Sequence, residues 1–382
     1  MKPYHWGIVC PEVSGHLNPI TTLGRELQKR GHRISVLIVP DGQAKVESAG
    51  LDYLPIGAER FPKGIRERDL EQLGRLSGLK AFRFTIQRFC QVAEVTLDDA
   101  PKHIHDSEID GMIVDQVYPA GITICEHLGL PAVTVCNAIA ANYDPRQPPV
   151  LTAWAYRNDP LSRLRYRAMY AVMDRLLAPA VDLINRYRKE WNLSPLPHRE
   201  FPYSSLAQIT QQPAIFDFPQ RNLAPHFHYT APFHDERSGD ATAFPYEKLD
   251  GRSLIYASLG TLQNRLDHIF YAIAQACEGL DAQLVVSLGN KNQTVFPHLP
   301  GSPLIAAYAP QLELLKRASL VITHAGLNTV LETLSQGVPM VAIPIANDQP
   351  GVAARLAYLG AGEMIPLKKV TSERLRALVQ KV

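Results

Sequence analysis

The sequence predicts an α/β protein built on parallel sheets with helices on both faces, and three observations lead there. Residues 320–345 read as strand, loop, helix and strand, the unit that joins parallel neighbours. Residues 4–39 run through the same order near the N-terminus. With 382 residues, 46% of them hydrophobic, the chain has material for two cores of this kind.

Residues 4–10 are the first buried strand, and Gly15-His16-Leu17-Asn18-Pro19 follows it. Pro19 suits the first position of a helix and Asn18 its cap. Ile20, Leu23 and Leu27 mark one apolar face of that helix up to Gly31, and residues 34–39 form the second strand. The first loop carries Gly-His where a dinucleotide-binding turn needs its spaced glycines, so it is a weak phosphate cradle. Phe82, Ile86, Phe89, Ala93 and Leu97 define a long helix with Arg83 and Arg88 on its polar side. Asp115 falls at the C-terminal end of a strand over 110–114, the edge where parallel sheets take ligands. Gly129-Leu130-Pro131 then turns into a strand over 132–136.

A proline-rich loop over 142–160 precedes a basic and aromatic helix with Arg163, Arg165 and Arg167, which Pro179 is expected to break or kink. Short strands follow at 206–210 and 226–230. Composition turns polar after Ala231, so residues 236–250 are read as a linker between a domain over 1–235 and another over 251–382.

The second domain opens with a strand over 253–257 that ends in Ser258-Leu259-Gly260-Thr261, and further strands are expected at 283–287 and 304–306. The strand over 320–323 empties into His324-Ala325-Gly326-Leu327. A helix is expected from Asn328-Thr329 to Gly337, which suits the left-handed position after a helix end. Its first amides and dipole favour an anion, with His324 beside it. Glu332 lies one turn after Asn328 on the same face. A strand over 340–345 and a final helix over 372–381 complete the chain.

A net charge of +2 gives no general attraction to nucleic acid. Five scattered cysteines without a C-x-x-C pair argue against a disulfide framework or a zinc site and fit a reducing, cytoplasmic location. His103-x-His105 and His226-x-His228 diverge at that spacing on either a helix or a strand, so no metal is expected. No apolar run reaches the roughly 18 residues of a spanning helix, and the first residues do not read as a signal peptide.

Tyr308-Ala309-Pro310-Gln311, His324-x-Gly326-x-Asn328-Thr329, Glu332, Gly337-Val338-Pro339 and Asp348-Gln349 together resemble the nucleotide-sugar signature of the UDP-glycosyltransferase superfamily, glycosyltransferase family 1. The stretches G-H-L-N-P, D-G-M-I-V-D-Q and E-H-L-G-L-P look closest to its bacterial carotenoid (zeaxanthin-type) and macrolide members. The resemblance implies the GT-B fold, two facing Rossmann-like domains, with the acceptor on the first and the nucleotide sugar on the second. It makes His16 the catalytic base and Asp115 the acid that pairs with it. Tyr308, with Ala309 beside it, would stack on the nucleotide base, Gln311 would bond the base or ribose, and Glu332 would take the ribose hydroxyls. His324, Gly326, Asn328, Thr329, Gly260 and Thr261 would hold the diphosphate, and Asp348 and Gln349 the sugar.

The activity implied is inverting, metal-independent transfer of a hexose, glucose first, from a UDP-sugar to a hydroxyl of a lipophilic small molecule, with no cofactor. Peripheral contact with anionic lipid is a further expectation for the segment at Arg163–Arg167. A UDP-sugar epimerase of the same fold, or a non-catalytic protein that binds nucleotide sugar or lipophilic ligand, are the alternatives. In the family a last helix crosses back onto the first domain; the sequence stops at Val382 before it, which bears on domain closure.

Overall fold

The computed structural model describes residues 2–74, 76, 78–196, 202–234, 243–261, 266–289 and 298–382. Two compact units divide the chain: residues 1–149, 157–214 and 220–233 form the first, and residues 150–156, 215–219 and 234–382 the second. Two short stretches that fall within the expected first domain, 150–156 and 215–219, are thus part of the second unit. Of the linker expected at 236–250, residues 236–242 lie outside the described residues.

The first unit holds a seven-stranded sheet: β1 (His5–Val9), β2 (Arg33–Ile38), β3 (Asp52–Pro55), β4 (Gly111–Asp115), β5 (Ala132–Cys136), β6 (Ala207–Thr210) and β7 (Phe227–Tyr229). Its spatial order is β3-β2-β1-β4-β5-β6-β7, and every pairing is parallel. The helices are α1 (Ser14–Lys29), α2 (Gln43–Ser48), α3 (Ile65–Gly74), α4 (Gly78–Asp106), α5 (Pro119–Leu128) and α6 (Pro160–Glu190). Central strands covered on both faces read as continuous apolar runs, which is why Ile34, Val36, Leu37 and Ile38 of β2 are all buried. Leu17 and Ile20 of α1 and Ala93 and Leu97 of α4 close over the sheet in one core.

Two expectations about helices change. α1 begins at Ser14, with Val13 before it and no side-chain cap, so Asn18 is not the cap and Pro19 lies inside the helix. Pro19 lacks only the N–H that would have reached the Gly15 carbonyl, and so early in a helix that loss interrupts nothing beyond it. Helix α6 also continues through Pro179 without ending.

The second unit has a six-stranded sheet: β8 (Ser253–Ser258), β9 (Ala282–Ser287), β10 (Leu304–Ala306), β11 (Ala318–Thr323), β12 (Met340–Ala342) and β13 (Gly362–Met364). The order is β10-β9-β8-β11-β12-β13, again parallel throughout. Its helices are α7 (Asp267–Cys277), α8 (Gln311–Leu315), α9 (Leu327–Ser335), α10 (Gln349–Leu359) and α11 (Ser372–Lys381). Ile269, Phe270 and Ile273 of α7 and Leu375 of α11 pack with Ile255, Val286 and Ile322 of the sheet. α9 ends at Ser335, and Gly337 takes the expected left-handed position after the helix end. Gly337, at φ 67°, donates to the Leu334 carbonyl and Val338 to that of Thr333, the paired bonds that close a helix on a left-handed residue.

Both units therefore have Rossmann-like sheets with the strand order reversing once, between β1 and β4 in the first and between β8 and β11 in the second. Such reversals open a crevice at the C-terminal ends of the flanking strands. None of the described helices is long and apolar enough to cross a membrane.

Candidate active site

In the first unit, β1 and β4 run side by side, with Val9 opposite Val114. The chain after β1 turns into α1 and presents His16 there, while Asp115 ends β4. His16 Nδ1 lies 2.7 Å from Asp115 Oδ2. Asp115 is fully buried, and the His16 side chain keeps 17% of its surface exposed. Asn137, just past β5, donates its Nδ2 to the same oxygen at 2.6 Å, and the Val117 amide donates to Oδ1 at 3.0 Å. Asp115 accepts from Asn137 and from the Val117 amide, and a further acceptor role toward His16 favours the tautomer with its proton on Nδ1. Burial, with the charge at Asp115 added, pushes the neighbouring Cys10 thiol well up, so Cys10 stays protonated and inert.

The sequence alone does not point to Asn137. A signal is present, because Asn137 follows an apolar strand at the same ligand edge as Asp115. A lone asparagine at a strand end is common enough to pass as a turn residue.

In the second unit, β8 and β11 flank the reversal, with Thr323 opposite Ser258. Gly260 and Thr261 follow β8, and His324 follows β11. The His324 ring lies between two glycines. A carbon added at Gly260 would sit 2.6 Å from His324 Nε2, and one added at Gly326 would also sit 2.6 Å away. Burial pushes His324 down to about 4, with a smaller opposing effect from the Ser258 backbone. The imidazole is therefore neutral near pH 7 and can offer a hydrogen bond rather than a charge. Gly326 precedes α9 and has no side chain to cap it, so the helix start at Leu327, Asn328 and Thr329 remains suited to an anion.

Gln311, at the start of α8, gathers two of the expected positions on α9. Its Nε2 donates to Glu332 Oε2 at 2.6 Å and to Thr329 Oγ1 at 3.2 Å, while its Oε1 accepts from Tyr256 O–H at 3.4 Å. Tyr256 is a fully buried residue of β8, and in the sequence it reads as one more core aromatic. Burial pushes Glu332 up to about 7, against the pull of the Gln311 hydrogen bond. Tyr308 is half-buried just beyond β10, and Ala309 beside it is buried.

Asp348 and Gln349 open α10. Gln349 is mostly buried, and its Oε1 accepts from the Ile345 and Ala346 amides, both at 2.9 Å. Its carbonyl end thus holds the loop before the helix, which leaves the amide nitrogen for other partners. Among the described residues, no three His, Cys, Asp or Glu side chains converge as a metal centre would require.

The family model described as UDP-glucoronosyl and UDP-glucosyl transferase matches residues 8–382. Over 362 residues the chain is 30% identical to a zeaxanthin glucosyltransferase of Pantoea ananas, covering 94% of this chain and 84% of that one. Over 388 residues it is 27% identical to the NDP-glycosyltransferase YjiC of Bacillus subtilis (strain 168), covering 100% and 90%. Among solved structures, the glycotransferase of kitacinnamycin superposes with a TM-score of 0.75 at 20% identity, covering 100% of this chain and 91% of that one. The spinosyn rhamnosyltransferase SpnG complexed with thymidine diphosphate superposes at 0.69 with 18% identity, covering 99% and 91%.

Proposed function

Because the chain belongs to the UDP-glucuronosyl and UDP-glucosyl transferase family, we propose that it moves a hexose, glucose first, from a UDP-sugar to a hydroxyl of a lipophilic small molecule, with inversion and without a metal. That it is a glycosyltransferase acting on small-molecule acceptors follows from membership; the donor, the stereochemistry and the residue roles are the proposal. The observation that carries it is the His16–Asp115 hydrogen bond at 2.7 Å, with Asn137 on the same oxygen.

In this reading His16 Nε2 takes the proton of the acceptor hydroxyl as that oxygen bonds to the anomeric carbon. Asp115 stabilises the imidazolium that forms. The bond from the anomeric carbon to the diphosphate breaks on the opposite face, so an α-linked donor yields a β-glycoside. Charge gathering on the departing diphosphate is met by the His324 N–H, the α9 amides and Thr261. No metal is needed for that step, because a helix N-terminus and a hydrogen-bond donor already face the anion. Glu332 takes the two ribose hydroxyls, Tyr308 stacks on the base, and Asp348 with the Gln349 amide binds the sugar. Lipophilic acceptors are supported by the similarity to a zeaxanthin glucosyltransferase.

The test is UDP release from UDP-glucose in the presence of EDTA, with and without hydroxylated carotenoids and macrolides, and with product stereochemistry read by NMR. Acceptor-dependent release of a β-glycoside supports the proposal. Release that needs no acceptor and returns an altered hexose would instead point to epimerase chemistry, and binding without turnover to a ligand-holding role.

Donor affinity should fall with falling pH. Ribose hydroxyls donate, so they favour the ionised form of Glu332, whose carboxyl in the unliganded protein titrates near 7. Below that pH, binding must expel a proton, and affinity drops by up to about tenfold per pH unit. Calorimetry with UDP between pH 5.5 and 8.5 measures the slope, and Glu332→Gln should flatten it.

Helix α6 supports the expected lipid contact. Leu161, Leu164 and Val172 are exposed at 76%, 63% and 50%. With exposed Ala168 they fall at spacings of three and four, which is one helix face, and Arg165, Arg167 and Arg175 are exposed along it. Apolar residues edged by arginine suit a bilayer of anionic lipid, where each cation contributes roughly 1 kcal/mol. The protein should co-sediment with phosphatidylglycerol vesicles and not with phosphatidylcholine. Leu161→Asp with Leu164→Asp should abolish that binding and leave transfer to a water-soluble acceptor intact.

A further inference from the structure

We propose that the buried Arg355–Asp217 pair is a positioning device for the donor sugar, setting α10 so that Asp348 and Gln349 can discriminate one hexose from another. It rests on the donor reading above and deepens it by assigning control of sugar choice to residues outside the signature.

Arg355 is 1% exposed and heads the fully buried side chains by size. Its Nε donates to Asp217 Oδ1 at 2.8 Å, and its Nη1 donates to the Gly351 carbonyl at 3.2 Å. The guanidinium lies 4.2 Å over the Phe218 ring. Asp217 is held in turn, because Oδ1 accepts from the Phe218 amide at 2.9 Å. Phe218 stacks on Tyr156 at 5.4 Å, and Tyr358 of α10 meets both rings edge-on at 5.4 and 5.9 Å. One turn nearer the helix start, a side-chain carbon at Gly351 would fall 2.4 Å from the Val150 carbonyl oxygen. All of these residues belong to the second unit, so α10 is gripped at two points by the stretches 150–156 and 215–219.

What the grip controls follows from helix geometry. Asp348 precedes Arg355 by seven residues, two turns or about 10 Å along one side. Gln349 carries the loop amides of Ile345 and Ala346 on its carbonyl oxygen, so that loop follows the helix end. Rotation or sliding of α10 would therefore move Asp348 and Gln349 together. Burial alone does not require charge here, because well-packed apolar residues are often as stabilising as a buried ion pair. A guanidinium bonded in two directions fixes the helix in rotation, which an apolar contact does not. The nucleotide-contacting residues Tyr308, Gln311 and Glu332 lie on other elements and should not feel the change.

Asp217→Asn removes the charge and keeps an oxygen for the guanidinium. Full-length wild type and variant are compared by calorimetry with UDP, and by transfer kinetics with UDP-glucose and UDP-galactose. UDP affinity should stay within about twofold, while the kcat/KM ratio between the two sugars moves about tenfold toward unity. If the variant does not fold, Asp217→Asn with Arg355→Gln, which leaves no lone buried charge, replaces it. A folded variant with an unchanged sugar ratio overturns the inference, as does equal loss of affinity for UDP and UDP-glucose. It is equally overturned if neither variant folds or if wild type already treats the two sugars alike. Wild type that binds no UDP overturns the donor reading, and the inference with it.

Discussion

Replacing His16 with alanine should lower the turnover of sugar transfer by about 10²–10⁴-fold and leave UDP affinity as it was. The size comes from the step that is lost. An acceptor hydroxyl is a poor nucleophile until its proton leaves, and in the proposed reading His16 Nε2 is the base that takes it while Nδ1 meets Asp115. His16 stands in the first unit and the residues proposed for the nucleotide in the second, so the effect should fall on kcat and spare UDP binding. Asp115→Asn separates orientation from basicity. Its amide could donate to Nδ1, turning the imidazole to the tautomer whose Nε2 carries the proton. Turnover should then fall about as far as in His16→Ala, although the fold still holds an intact histidine. Steady-state kinetics and UDP calorimetry on both variants decide the matter. A turnover within a few-fold of wild type would remove His16 from the role of base.

Gly260→Ala should reduce UDP affinity by about 10²-fold, through His324. Two separate costs meet at Gly260. Its φ of 79° is left-handed, where a side-chain carbon costs roughly 1–2 kcal/mol. The same carbon would stand 2.6 Å from His324 Nε2 and 2.7 Å from Cε1, closer than packed atoms allow, so the ring must leave its slot. Two further glycines separate these costs. Gly251 has φ 85° with nothing within 4 Å of an added carbon, so Gly251→Ala carries strain alone. Gly326 has φ −63° and would place its carbon 2.6 Å from the same Nε2, so Gly326→Ala carries the clash alone. If His324 holds the diphosphate, Gly326→Ala should lose most of what Gly260→Ala loses, and Gly251→Ala should bind UDP like wild type. Equal UDP affinity in all three would show that His324 does not meet the anion.

Much of this fold is legible in the order of residues along the chain. Runs such as 34–39 and 320–323 have to be central parallel strands, because an apolar stretch without alternation needs cover on both faces. The α9 positions are legible for a related reason. Gly326, Asn328, Thr329 and Glu332 sit within seven residues, and one helix fixes their mutual placement. Helix boundaries are less legible. Pro19 looks like a helix start because proline is favoured there, yet five residues N-terminal to it are also helical. Single-residue preferences amount to about 1 kcal/mol, which packing of α1 against the sheet overrides.

By itself, then, the sequence determined the parallel α/β class, the family, and those contacts whose partners are neighbours along one element. Tertiary structure decided the contacts that cross the chain. His16 and Asp115 are 99 residues apart, Asp217 and Arg355 138 apart, and Asn137 reaches Asp115 from a third strand. The physical reason is the crossover connection. Parallel strands adjacent in a sheet need not be adjacent in sequence, so which strand ends meet is set by the order in which strands pack. That order depends on burying both sheet faces at once, a property of the whole unit that no local pattern carries.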